Sequence, residues 1–191
     1  MHIGLFFGSF NPVHNGHIIL AQYMQQHYLL NEVWLVISPK SPFKTHQHML
    51  HHHERLHLIQ LAVDNIPHLK PCTIEFDLPE PHYTIHTLSY LFEAYPQHTF
   101  SIIMGKDNLN HFHKWKNYEQ ILKQVTLLVY PRLHAQASMF DNHPRVTLTQ
   151  APVIELSSSA IRACIKSGKI PSAMLHPNVW EEIEKSGHYR N

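Results

Sequence analysis

The stretch Ile3-Gly4-Leu5-Phe6-Phe7-Gly8-Ser9-Phe10-Asn11-Pro12-Val13-His14-Asn15-Gly16-His17 decides the fold. Residues 3–7 form a short apolar run of the kind that makes a buried parallel strand. Further on, Leu20, Met24 and Tyr28 recur every four residues with Ile18 and Ala21 beside them, the spacing of one helix face. What lies between is a strand-to-helix turn at the carboxyl end of a first strand, the place where open α/β sheets bind ligands. Gly8 and Gly16 let backbone approach a ligand closely, and Pro12 stiffens the turn. His14 and His17, three residues apart at the helix start, can present both rings to one spot. Unpaired N–H groups and partial positive charge at the helix N-terminus add to that spot, and the combination suits the phosphates of a nucleotide. Neither G-x-x-x-x-G-K-[ST] nor G-x-G-x-x-G is present. The residues alone therefore leave an ordinary surface pair of histidines as the alternative.

Outward from this turn, apolar runs alternate with helical stripes. Strands are expected at 32–37, 73–76, 100–105 and 125–130, with a further short one at 146–148. The intervening helices carry Leu56, Ile59, Val63 and Ile66; Ile85, Leu88, Phe92 and Tyr95; and a segment near 118–122. Two helices close the chain, one capped by Ser157-Ser158-Ser159 and ending at Gly168, the other from Pro177 or Asn178 to Gly187. Strands alternating with helices predict a doubly wound parallel sheet with right-handed crossovers.

The 191 residues, 43% hydrophobic and 15% charged, suit one globular domain that buries roughly 70% of its unfolded surface. A net charge of +1 gives no electrostatic reason to bind nucleic acid or a membrane surface. Cys72 and Cys164 lie too far apart in sequence to suggest a disulfide framework or a C-x-x-C site. No apolar run approaches a membrane span and no secretory leader pattern opens the chain, so the expected location is cytoplasmic. Histidine is abundant, at 20 residues, with a cluster at His46, His48, His51, His52, His53 and His57. No cysteine or carboxylate accompanies it at zinc-like spacing, so a solvated loop entering a helix is expected there rather than a metal site.

A second informative stretch is Ser157-Ser158-Ser159-Ala160-Ile161-Arg162. Three serines at a helix start offer hydroxyls and N–H groups to an anion, with Arg162 one turn into the helix. Taken alone, it reads more readily as an N-cap followed by a surface arginine.

The first stretch resembles the G-x-F-x-P-x-H-x-G-H signature of the nucleotidylyltransferase superfamily, with Asn11 where bacterial members usually carry Asp. The second resembles its I-S-S-T-x-I-R motif. Pro81-His82-Tyr83-Thr84, Gly105-Lys106-Asp107 and Trp115 narrow the likeness to bacterial nicotinate-nucleotide adenylyltransferases. It extends over nearly the whole chain, including Arg55, Arg132 and Gly187-His188-Tyr189-Arg190. Phosphopantetheine adenylyltransferases lack the mid-chain segment in this form. The resemblance implies a Rossmann-like nucleotidylyltransferase fold in a single domain, residues 1–191, whose C-terminal helices (about 157–187) complete the ATP site. It implies His14, His17, Lys44 and Arg162 as catalytic residues. For ATP it implies Gly8, Ser9, Phe10, His14, Gly16, His17, Gly105, Asp107, Ser157, Ser158, Ser159, Ile161 and Arg162. For nicotinate mononucleotide it implies Ser9, Phe10, Lys44, Tyr83, Thr84, Thr87, Asp107, Trp115 and Arg132. Ser41-Pro42-Phe43-Lys44 stands where relatives often read P-P-H-K, so a histidine contact is lost while Lys44 is kept. Mg²⁺ is expected on the ATP phosphates, with no protein metal site, and the partners are the small molecules ATP and nicotinate mononucleotide. A homo-oligomer is left open. So are transfer to nicotinamide mononucleotide or phosphopantetheine, and a nucleotide-binding protein without catalysis.

Overall fold

A computed structural model describes residues 1–39 and 49–190. Its strands are β1 (His2–Gly8), β2 (Glu32–Ile37), β3 (Leu69–Cys72), β4 (Thr99–Gly105), β5 (Thr126–Tyr130) and β6 (Val146–Leu148). Among them run α1 (Asn15–His27), α2 (His52–Val63), α3 (Thr84–Ala94), the short α4 (Lys106–Asn110), α5 (Tyr118–Gln124), α6 (Ser158–Lys166) and α7 (Pro177–Ser186). The six strands form one sheet in the order β3-β2-β1-β4-β5-β6, every pair parallel. The chain winds outward from β1 through β2 to β3, then returns across β1 to β4. That reversal opens a crevice at the carboxyl ends of β1 and β4.

Alternation along the strands sends side chains to two cores, one on each face of the sheet. Phe6, Val33, Leu35, Ile37, Ile103 and Leu128 meet the apolar stripes of α1, α2, α6 and α7, including Leu20, Met24, Ile59, Ile161 and Ile183. On the other face Ile3, Leu5, Ile102, Met104, Leu127 and Val129 pack on Leu88 and Leu91 of α3 and Ile121 of α5. No helix among the described residues is long and apolar enough to cross a membrane.

Three expectations are corrected. Residues 73–76 are not a strand: Ile74–Phe76 is a 3₁₀ turn, and the strand lies just before it at Leu69–Cys72. β3 is an edge of the sheet, which is why it tolerates Pro71. The described histidines of the cluster also lie at or within a helix, not in a loop. His51 is the N-cap of α2 and His52, His53 and His57 lie within it, while His46 and His48 fall outside the described residues. The stripe expected on α2 is offset as well, its buried residues being Arg55, Leu58, Ile59, Ala62 and Val63.

Candidate active site

The turn after β1 is held by its own residues. Phe10 has a left-handed φ of 46° and tucks its ring, 1% exposed, under the turn, edge-on to His17 with centroids 5.0 Å apart. His14 is the N-cap of α1, and its ring stacks on that of His17 at 3.6 Å and 21°. The His14 N–H donates to His17 Nδ1 at 3.2 Å. A neutral His17 therefore carries its proton on Nε2, as a hydrogen-bond donor. Gly16 sits beneath the pair; a Cβ there would lie 3.1 Å from His14 Nδ1 and from Ile154.

His14 is buried, and its Nδ1 meets no hydrogen-bond partner among the described residues. Burial, and secondarily the positive charge of Arg132, push its pKa down to about 4. The ring is thus neutral at physiological pH, in a place where the charge of an incoming anion would oppose that depression.

The second motif meets the first directly. Ser157 caps α6 by accepting from the Ala160 N–H at 3.2 Å. The Ser158 hydroxyl donates to the Pro12 carbonyl at 2.8 Å, and Arg162 Nη1 donates to the Asn11 carbonyl at 2.7 Å. Arg162 Nη2 reaches Ser159 Oγ at 3.4 Å. Ile161 is wholly buried and anchors α6 to the core instead of facing a ligand. The Asn11 side chain ties in the C-terminus: its Oδ1 accepts from the Tyr189 hydroxyl at 2.8 Å and from the Leu50 N–H at 3.2 Å. A carboxylate would accept the same two bonds, so this part of the turn is served by Asn as well as by Asp.

On the other side of the crevice opens a cleft of about 260 Å³, lined by Gly8, Ser9, Ser38, Tyr83, Thr84 and Trp115, with Ile103 and Met104 of β4 below. Tyr83 is the N-cap of α3 and Thr84 its first residue; the His86 and Thr87 N–H groups bond back to the Tyr83 carbonyl, while those of Thr84 and Ile85 have no intrahelical acceptor. Trp115 is half-buried and braced by Phe112 at 5.3 Å. Lys114 and Lys116 also line the cleft, and Lys116 Nζ stands 4.6 Å over the Tyr83 ring. Sequence reasoning missed both lysines; their only signal was that they flank the tryptophan.

Two expected residues lie elsewhere than anticipated, and a third lies on one of its two expected sides. Arg132 sits away from Tyr83, Thr84 and Trp115: it pairs with Asp107 at 3.8 Å, lies over the Tyr130 ring at 5.2 Å, and is the charge that bears on His14. Asp107, expected at both substrates, lies with Arg132 on the histidine side, its carboxylate packed close against Gly105. Thr87 is fully buried and reaches the cleft only through Glu75, to which its hydroxyl donates at 2.8 Å. Lys44 lies outside the described residues.

Arg55 is the residue that pattern reading undervalued. Its guanidinium is 0% exposed and donates to four carbonyls: Leu50 at 3.0 Å, Ser9 at 2.6 Å, Ser38 at 2.9 Å and Pro39 at 3.0 Å. It thereby ties the ends of β1 and β2 to the segment before α2. Burial lowers its pKa to about 10, which leaves it charged. The available signal was an arginine in register with Leu58, Ile59 and Ala62 on the buried face of a helix.

His51, His52 and His53 bring one ring nitrogen each to within 4.8 Å of one another. Their rings lean on each other at 4.0–5.3 Å, and two of them on Phe76, in the manner of a stacked aromatic group.

The cytidylyltransferase-like family model matches residues 5–164, and with the sheet order and the paired motifs this makes the chain a nucleotidyltransferase of Rossmann-like fold. A relative from Flavobacterium psychrophilum, named "Probable nicotinate-nucleotide adenylyltransferase", is 46% identical over the full length of both chains. One of the same name from Bacteroides fragilis is 39% identical, covering 94% of this chain and 90% of its own. The chain belongs to the nicotinate-nucleotide adenylyltransferase family. Its fold matches that of Plasmodium falciparum nicotinic acid mononucleotide adenylyltransferase complexed with NaAD, with a TM-score of 0.83 at 19% identity over 98% of this chain and 97% of the other.

Proposed function

We propose that the chain transfers the adenylyl group of ATP to nicotinate mononucleotide, giving nicotinate adenine dinucleotide and pyrophosphate. The observation that carries this reading is the joining of two sites at one sheet reversal. The histidine pair and the start of α6 are bonded to each other's turns, and the ring-sized cleft with Trp115 opens beside them. A phosphate oxygen of the mononucleotide attacks the α-phosphorus of ATP, a new P–O bond forms, and the bond to the β-phosphate bridging oxygen breaks. That nucleophile is ionised at neutral pH, so no protein base is required, and catalysis rests on positioning and on stabilising charge. His17, its Nε2 proton fixed by the bond at Nδ1, donates to the oxygen on which charge grows. His14 stacks behind it, and Arg162 with the serines of α6 holds the leaving pyrophosphate. Lys44, from the family resemblance, is assigned to the same phosphates.

The fit to Mg²⁺ is as a companion of substrate. Asp107, the carboxylate on the histidine side, is paired with Arg132, so the ion is assigned to the ATP phosphates and water. In the cleft, Trp115 stacks on the pyridine. The N–H groups at the start of α3, with the cations of Lys114 and Lys116, favour a ring carboxylate.

The test is pyrophosphate release from Mg·ATP and nicotinate mononucleotide by the native chain and by His17→Ala. Loss of one transition-state donor typically lowers kcat by roughly 10²–10³-fold, with ATP binding retained. Near-native kcat in the variant would remove His17 from the chemistry.

A further inference from the structure

The cleft contains one group that nothing above employs. Glu75, in the 3₁₀ turn after β3, lines it together with Ser9, Ser38, Tyr83, Thr84 and Trp115, yet is only 2% exposed. Its Oε1 accepts from the Thr87 hydroxyl at 2.8 Å, and Thr87 is itself fully buried on α3. Its Oε2 is buried with no partner in bonding geometry among the described residues, although the Ser38 hydroxyl is near enough to favour the ionised form. Burial outweighs both hydroxyls and leaves the carboxyl above its usual range.

A buried carboxyl in a ligand cleft, with one oxygen fixed by Thr87 and the other held by no well-aligned bond, has room for a donor from the ligand. Nicotinate mononucleotide has few to give. Toward Glu75 in its carboxylate form, its ring carboxylate and its phosphate are repelled acceptors, and the ring carries only C–H groups. The hydrogen-bond donors left are the two ribose hydroxyls.

We propose that Glu75 Oε2 accepts a hydrogen bond from a ribose hydroxyl of the mononucleotide, and that Thr87 holds Glu75 in place to do so. Glu75 is then a substrate-positioning residue: it sets the ribose so that the 5′-phosphate is carried toward the histidine pair. The inference rests on the cleft being the mononucleotide site.

The experiment is a comparison of kcat/KM for nicotinate mononucleotide and its 2′-deoxy and 3′-deoxy analogues, with the native chain and with Glu75→Met, an apolar replacement of similar length. The native chain should prefer the full ribose over one deoxy analogue by roughly tenfold or more. Glu75→Met should use the natural substrate roughly tenfold less well, show little preference between the sugars, and leave KM for ATP unchanged. Should Glu75→Met fail to fold, Glu75→Gln keeps the Thr87 bond, replaces the free acceptor with a donor, and is read in the same way. Absence of turnover by the native chain would count against the reading of the cleft. Turnover without sugar preference, or a preference that survives in the variants, would overturn the role of Glu75 alone.

Discussion

Acidification should expose the cost of burying His14. The folded ring has a pKa of about 4, against 6.5 for a free histidine, so folding favours the neutral form. For a group whose folded pKa is depressed, the stability is complete above the unfolded value and is lost as pH falls from 6.5 toward 4. The difference of about 2.5 pKa units sets a limit of about 3 kcal/mol, of which about 2 kcal/mol is lost by about pH 5. No discount for solvent is needed, because the side chain is only 5% exposed. Other histidines titrate over the same range, so the measurement is a difference: urea unfolding of the native chain and of His14→Gln at several pH values from about 7 to about 5. The native chain should lose about 2 kcal/mol more than the variant across that interval. Saturating Mg·ATP should shrink the gap, since phosphate beside the ring favours the protonated form. Parallel curves for the two proteins would refute the claim that His14 is held neutral by its surroundings.

Arg55→Met removes the guanidinium from four carbonyls; loss of one partner from a buried charged network costs roughly 3–5 kcal/mol, a fall in Tm of about 6–20 °C for a chain of this size. Calorimetry checks this, and a shift of a degree or two would mean that water replaces the side chain. Arg162→Lys keeps the charge but not the planar fork that spans the Asn11 carbonyl and Ser159. It should lower kcat/KM for ATP by roughly tenfold, whereas unchanged ATP kinetics would return Arg162 to a structural role.

Much of this was legible in sequence because its signals are local. The run before Gly8, the spacing of His14 and His17 and the Ser157 cap each involve a few neighbouring residues, and each is where it was expected. The error at residues 73–76 has a physical origin: alternating Thr73, Ile74, Glu75 and Phe76 mimic a strand, while Pro71 disguises the true one at a sheet edge. Arg55, Glu75, Thr87 and Arg132 were misjudged for a shared reason. Each acts through partners distant in sequence, Arg55 on Ser9 and Glu75 with Thr87, and no periodicity records such contacts. Asn11 marks the same limit from the other side. As a departure from the family pattern its meaning was open, and the fold shows its Oδ1 serving Tyr189 and Leu50.

Steady-state pyrophosphate release with nicotinate and with nicotinamide mononucleotide tests the central claim most directly, because the two acceptors differ only in carboxylate against carboxamide. In the proposed binding mode a ring carboxylate would meet the N–H groups at the start of α3 and the cations of Lys114 and Lys116, while a carboxamide would bring its own NH₂ toward donors and leave groups unpaired, at about 1–3 kcal/mol. The predicted result is a kcat/KM for nicotinate mononucleotide at least about tenfold higher; equal or reversed efficiencies would contradict the assignment of the cleft.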